Sequence, residues 1–243
     1  MTQIIAMWSG PRNLSTAMMR SFGARADCRP MDEPFYAAYL AATGLDHPMR
    51  EEIIADGETD PQKVAAQCLE QPLSPHRLIY QKHMTHHMID GFPINWIGKV
   101  TNIFLIRDPA RVLASYANKA NSVMAADTGF SRQRELFDLV AGQTGEKPAV
   151  IDAADIRADP EKMLKALCKK IGIEFDPAML SWPAGPRVED GIWASHWYDA
   201  VWKSTGFAPP ETGNAPVLPG NLAEIEQQLR PDYDYMRQFA LGR

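Results

Sequence analysis

The stretch Ile4-Ile5-Ala6-Met7-Trp8-Ser9-Gly10-Pro11-Arg12-Asn13-Leu14-Ser15-Thr16 constrains the fold most. A short apolar run reads as a buried strand. It breaks at Gly10-Pro11 and passes through a basic residue to two hydroxyls that open a helix. The first four N–H groups of a helix are unpaired and carry partial positive charge. An anion such as phosphate fits there, with Arg12, Ser15 and Thr16 closing around it. The same residues also suit an ordinary strand–turn–helix connection capped by Asn13 or Ser15.

Further strands are expected at 29–31, 78–83, 102–106 and 149–151, the 102–106 run being the most strand-like. Helices are expected at 14–22, 61–70, 110–121, 131–144, 160–171 and 222–229, with a shorter Tyr-rich piece after the last. Asp60 suits the cap of the 61–70 helix, Pro160 the first turn of another, and Gly172 the position past its end. Residues 35–76 read as partly helical, punctuated by Pro48, Pro61, Pro72 and Pro75, and 181–220 as an irregular wrap rich in Trp, Gly and Pro. Strands alternating with helices give an α/β domain, a three-layer sandwich around a mostly parallel sheet. One domain is expected over 1–243. Ligands of such sheets lie beyond the carboxyl ends of the strands, which selects Ser9 to Arg12, Glu33, Lys82 with His83, and Arg107.

Composition narrows the function classes. A net charge of −5 argues against a general nucleic-acid binder. Cys28, Cys68 and Cys168 are odd in number and form no CxxC pair, which fits buried thiols in a reducing compartment. No secretory leader is read at the start, and no window approaches the ~18 apolar residues of a membrane span, so the expectation is a cytoplasmic protein without a membrane partner.

The loop after Gly10 is not GxxxxGK[ST]: it has neither a second glycine nor a lysine. The segment Phe104-Leu105-Ile106-Arg107-Asp108-Pro109-Ala110-Arg111-Val112-Leu113-Ala114-Ser115-Tyr116 delivers Arg107 at a strand end, with Ser115 two turns into the next helix. Arg107 is a bidentate phosphate donor or, alternatively, half of a surface pair with a neighbouring aspartate.

Together the two segments resemble the sulfotransferase superfamily, which uses 3′-phosphoadenosine 5′-phosphosulfate (PAPS) on a P-loop NTPase-like fold. Pro11, Arg12, Ser15 and Thr16 match the family's 5′-phosphosulfate loop, while Asn13 and Leu14 stand where Ser-Gly is more usual. Arg107, Ser115 and Tyr116 match the order and spacing of its 3′-phosphate motif. The resemblance covers the scaffold to about residue 172 and is weaker over 35–76. It implies sulfuryl transfer from PAPS to a hydroxyl or amine of a small-molecule acceptor, without a metal. The donor would lie on Pro11, Arg12, Asn13, Leu14, Ser15 and Thr16, and Arg12 would stabilise the leaving phosphate.

Two residues compete for the general base. His83, in Gln81-Lys82-His83, is near the Lys-x-His of cytosolic sulfotransferases, with the lysine displaced by one position. Glu33, in Asp32-Glu33-Pro34, matches the Glu-Pro of other branches. His83 and His87 lack the HExxH pattern of a zinc site. Late aromatics from Trp193 to Trp202 either line the ligand site or cover the core, and Lys203 in Lys203-Ser204-Thr205-Gly206 is the candidate late basic contact with the nucleotide. The alternatives are a kinase or hydrolase using ATP and magnesium, with Asp108 and Asp152 as metal partners, and a non-catalytic binder of the desulfated nucleotide PAP. The residues 35–76 and 181–220 are expected to shape the acceptor side, and dimerisation is open.

Overall fold

The computed structural model describes residues 2–70, 76–117 and 123–242. Five strands, β1 (Gln3–Ser9), β2 (Cys28–Asp32), β3 (Leu78–Met84), β4 (Thr101–Ile106) and β5 (Ala149–Asp152), form one sheet. Their order is β2-β3-β1-β4-β5 and every pairing is parallel. The helices are α1 (Ser15–Gly23), α2 (Tyr36–Thr43), α3 (Arg50–Asp56), α4 (Pro61–Leu69), α5 (Pro109–Ala117), α6 (Ala125–Thr128), α7 (Phe130–Thr144), α8 (Ala153–Ala158), α9 (Pro160–Ile171), α10 (Ala194–Trp197), α11 (Asp199–Trp202) and α12 (Gly220–Arg237).

Side chains on a strand alternate between faces, and both faces of this sheet are covered. Ile5, Met7, Tyr80, Ile103 and Leu105 pack with Met18 and Phe22 of α1 and Leu164 and Leu167 of α9. Ala6, Trp8, Phe104 and Val150 pack with Val64 of α4, Phe137 of α7 and Met236 of α12. The result is helix on sheet on helix, the three-layer α/β architecture expected from the sequence. It is continuous with the helix ends that the predicted caps mark. The Asp60 side chain accepts from the Gln62 N–H at 2.9 Å, and Gly172 takes φ 75° just past α9.

Three expectations need correcting. α1 starts at Ser15 rather than Leu14. α8 follows directly on β5, capped by Asp152, and its six residues are too few to show a helical period. The terminal helix does not stop before Pro231 but runs unbroken from Gly220 to Arg237. An interior proline costs a backbone hydrogen bond. Here, contacts on both sides of the proline hold the helix. Leu222, Leu229 and Met236 are buried, Tyr233 donates to Asp152 at 2.8 Å, and Arg237 pairs with Asp155 at 2.7 Å. The helix expected to reach Asn121 is described only to Ala117; its remainder, like Pro72 and Pro75, lies outside the described residues.

Candidate active site

The loop between β1 and α1 is shaped by two backbone features. A Cβ on Gly10 would lie 2.2 Å from the Thr128 carbonyl oxygen, so only glycine permits this approach. Arg12 (φ 62°) and Leu14 (φ 74°) are both left-handed, with Asn13 between them outside that region. Backbone that alternates hand in this way turns successive N–H groups into one concavity, an anion nest. Leu14 thus adopts the conformation that glycine adopts freely and a branched residue rarely does. No side chain caps α1, so its first N–H groups stay available to a ligand and the alternative of a simply capped helix is not realised. Asn13 is fully buried.

The second segment is joined to this loop. Arg12 Nε donates to Ser115 Oγ at 3.0 Å, and Arg107 Nη1 donates to the Arg12 carbonyl. Burial and the neighbouring Arg107 lower the Arg12 pKa. Among the described residues, no carboxylate forms an ion pair with Arg12. Pro11 to Thr16, Glu33, Lys82, Arg107 and Ser115 share one cavity of about 230 Å³.

Opposite the loop lies a buried acid–base cluster. Lys82 Nζ donates to Asp32 Oδ1 at 2.7 Å and to Glu33 Oε1 at 2.5 Å, and also contacts the Tyr198 hydroxyl. Tyr198 donates to Asp32 at 2.8 Å. Gly191 N–H donates to Asp32 Oδ2 at 3.1 Å. Burial raises the Glu33 pKa, with Lys82 opposing and Asp32 adding to the shift. Burial also works against the Lys82 charge, but Asp32 and Glu33 outweigh it and raise the lysine's pKa. Glu33 has φ 40°, a third strained backbone at the same cavity.

His83 sits elsewhere. β1–β3 register pairs Met7 with Lys82 and Trp8 with His83, so lysine and histidine point to opposite faces. The His83 ring stacks on Trp8 at 4.5 Å between centroids and packs against Trp96 and Phe35. Burial pushes its pKa down to about 3, and it does not line the cavity. Lys203 is exposed and also lies off the cavity wall. The structure therefore brings neither of them to this cavity: one is turned into the core by strand alternation, the other faces water. Of the late aromatics, Trp197 and Tyr198 line the cavity, whereas Trp182 and Trp193 are buried.

Sequence reasoning missed Glu211, the partner of Arg107, and the two further arginines that Glu211 gathers. Glu211 accepts from Arg107 and forms ion pairs with Arg157 at 2.6 Å and with Arg111 at 3.3 Å. Arg111 was readable as the residue one helical turn after Arg107, and Arg157 as a basic residue just beyond a strand end. Nothing in the sequence marks Glu211, which reaches them from an irregular segment. The carboxylates of the magnesium alternative are committed to protein groups. Asp108 pairs with Arg230 at 2.9 Å, and Asp152 caps α8 and accepts from Tyr233. Among the described residues, no three His, Cys, Asp or Glu side chains converge as a metal set. No helix among them is long and apolar enough to cross a membrane.

A family model described as a sulfotransferase domain matches residues 2–239. The chain belongs to the sulfotransferase domain family. Its fold is similar to that of the sulfotransferase domain from the Synechococcus PCC 7002 olefin synthase, with TM-score 0.58, 18% identity and coverage of 96% of this chain and 95% of that one. A sulfotransferase from Alicyclobacillus acidocaldarius aligns with TM-score 0.56 and 9% identity, over 98% and 95% of the two chains. At the sequence level, the branched-chain-amino-acid aminotransferase-like protein 2 of Arabidopsis thaliana is 35% identical over 235 residues. Those residues are 97% of this chain but 41% of that protein, so the sulfotransferase domain spans about two fifths of its relative's length.

Proposed function

We propose that this sulfotransferase domain transfers a sulfuryl group from PAPS to a hydroxyl or amine of a small-molecule acceptor, with Glu33 as the general base. The observation that carries the reading is the arrangement of one cavity. A left-handed cationic loop at Arg12 and Leu14 stands at one wall, a buried carboxylate at another, and Arg107 with Ser115 at the end. Two adjoining cationic grips in one cavity suit a donor with phosphates at both its 5′ and 3′ positions.

In this mechanism the 5′-phosphosulfate rests on the nest and the α1 N-terminus. Glu33 takes the proton from the acceptor oxygen or nitrogen. That atom forms a bond to sulfur as the sulfur–oxygen bond to the 5′-phosphate breaks. The electron pair goes to the leaving phosphate oxygen, where Arg12 and the helix amides stabilise it. Charge balance favours Glu33 in this role. Asp32, Glu33 and Lys82 together carry one net negative charge out of water, so accepting a proton makes the buried cluster neutral. Lys82 and Tyr198 hold the carboxylate and are positioning residues. The aminotransferase-like name of the plant relative describes a protein more than twice this length, and no step here draws on it.

The test is a titration with PAP, ADP and ATP, each with and without magnesium. PAP binding tightest and indifferent to magnesium is the expected result. Preference for ATP with magnesium would instead support the kinase reading. Tight PAP binding without transfer to any acceptor, and unchanged by Glu33→Gln, would support a non-catalytic nucleotide binder.

A further inference from the structure

We infer that Glu211 is an internal stand-in for the donor's 3′-phosphate, and that the strap carrying it must lift from Arg107, Arg111 and Arg157 for the donor to bind. This rests on the PAPS reading above. The three guanidiniums come from the end of β4, from α5 and from α8 and converge on one carboxylate. All four side chains are largely shielded, at 16% to 20% exposure, so the charges meet in a partly dehydrated site. Three positive charges against one negative leave two unbalanced. Neighbouring Asp108 does not make up the difference, because Arg230 engages it. A phosphate monoester brings about two negative charges and three acceptor oxygens, and it matches a three-arginine cluster better than a carboxylate does.

The strap is held in a way that permits exchange. Arg157 Nε donates to the Pro209 carbonyl at 2.8 Å, and Arg111 Nη2 donates to the Gly213 carbonyl at 2.9 Å. The bridge between Ser181 and Gly206 ends at the root of the strap, and among the described residues no backbone–backbone hydrogen bond anchors 208–218. The same arginine side chains therefore fasten both the Glu211 carboxylate and its backbone, so a ligand that recruits them releases the strap. Arg107 also donates to the Arg12 carbonyl, which places the cluster directly beside the phosphosulfate loop. Arg111 and Arg157 become donor-binding residues, and Glu211 sets the fraction of molecules ready to bind.

The experiment measures PAP and 5′-AMP affinity by calorimetry for the wild type, Glu211→Gln, Arg157→Ala and Arg157→Lys, with each variant's thermal midpoint recorded first. The Gln variant keeps shape and hydrogen bonding but not the competing charge. Its PAP affinity is expected to rise about tenfold, with 5′-AMP affinity unchanged, because the closed fraction no longer weakens binding. Arg157→Ala is expected to weaken PAP roughly tenfold to a hundredfold and leave 5′-AMP unchanged, and Arg157→Lys to recover part of the loss. If wild-type PAP binding exceeds that of 5′-AMP but none of the three variants changes that ratio, Glu211 is structural only and the inference is overturned while the donor reading stands. If the wild type binds PAP no better than 5′-AMP, the donor reading falls and takes this inference with it.

Discussion

The two ends of the cavity are built differently. At the end that holds Arg12, Glu33 and Lys82, each group is fixed by strand ends and by buried partners. Lys82 is completely buried among Asp32, Glu33 and Tyr198, and the late segment above it is fastened by the Arg20–Asp190 ion pair at 2.6 Å. At the Arg107 end, three arginines reach through partly shielded space to a carboxylate on an irregular strap. One end has its geometry in place before any ligand arrives, and the other keeps its cations paired until a better anion comes. Preorganisation serves the bond-making step, whereas exchangeable pairing serves binding.

The largest effect expected at the fixed end is on turnover. Glu33→Gln should lower kcat by about 10²–10⁴ with little change in PAP affinity, whereas His83→Phe should cost about tenfold at most. Steady-state kinetics beside PAP calorimetry measures both, and equal losses in the two variants would erase the distinction between the faces of β3. Next is the nest. Proline cannot adopt positive φ, so Leu14→Pro should weaken PAP binding by roughly a hundredfold, while Leu14→Gly keeps it within a few-fold. If Gly and Pro behaved alike at 14, the loop's handedness would be irrelevant.

Acid should produce a smaller effect, at three histidines on and just after β3. Burial pushes His83 and His86 down to about 3 and holds His87 well below its usual value near 6.5. Between pH 6.5 and about 3, the unfolded chain binds protons at these positions and the folded chain does not. Stability therefore falls as pH falls through that window, with a slope of up to about three protons. Urea unfolding at a series of pH values measures it, and His83→Phe should remove about one proton from the slope. The smallest change is expected at Lys203, where exposed alanine substitution should leave PAP affinity within about twofold, because a long-range surface charge is screened.

The fold was legible where local chemistry and tertiary contacts agree. The apolar run of β4 and the Pro160 and Gly172 boundaries of α9 are examples. α12 was not, because burial of Leu229 and Met236 and the Tyr233–Asp152 bond outweigh the interruption at Pro231. At the site, Arg12, Glu33, Arg107 and Ser115 could be found as polar residues at strand ends and helix starts, and the structure brings them around one cavity. The choice between Glu33 and His83 needed the face of β3, which is set by Tyr80 stacking on Phe22 of α1 at 4.3 Å. Glu211 was illegible because it meets Arg107 from 104 residues away, through a segment with no period to read.

The placement of β1 in the middle of the sheet has a consequence for synthesis on the ribosome. Gln3 finds its neighbour only at Leu78, and Ile5 finds its other neighbour only at Thr101. At translation speeds of about 5–20 residues per second, the strand waits several seconds or more with both edges bare. Strands β2 and β3 are both made before β4, so the sheet can grow from one side and close around its earliest member late. An apolar strand held open for that long is a natural client for a nascent-chain chaperone.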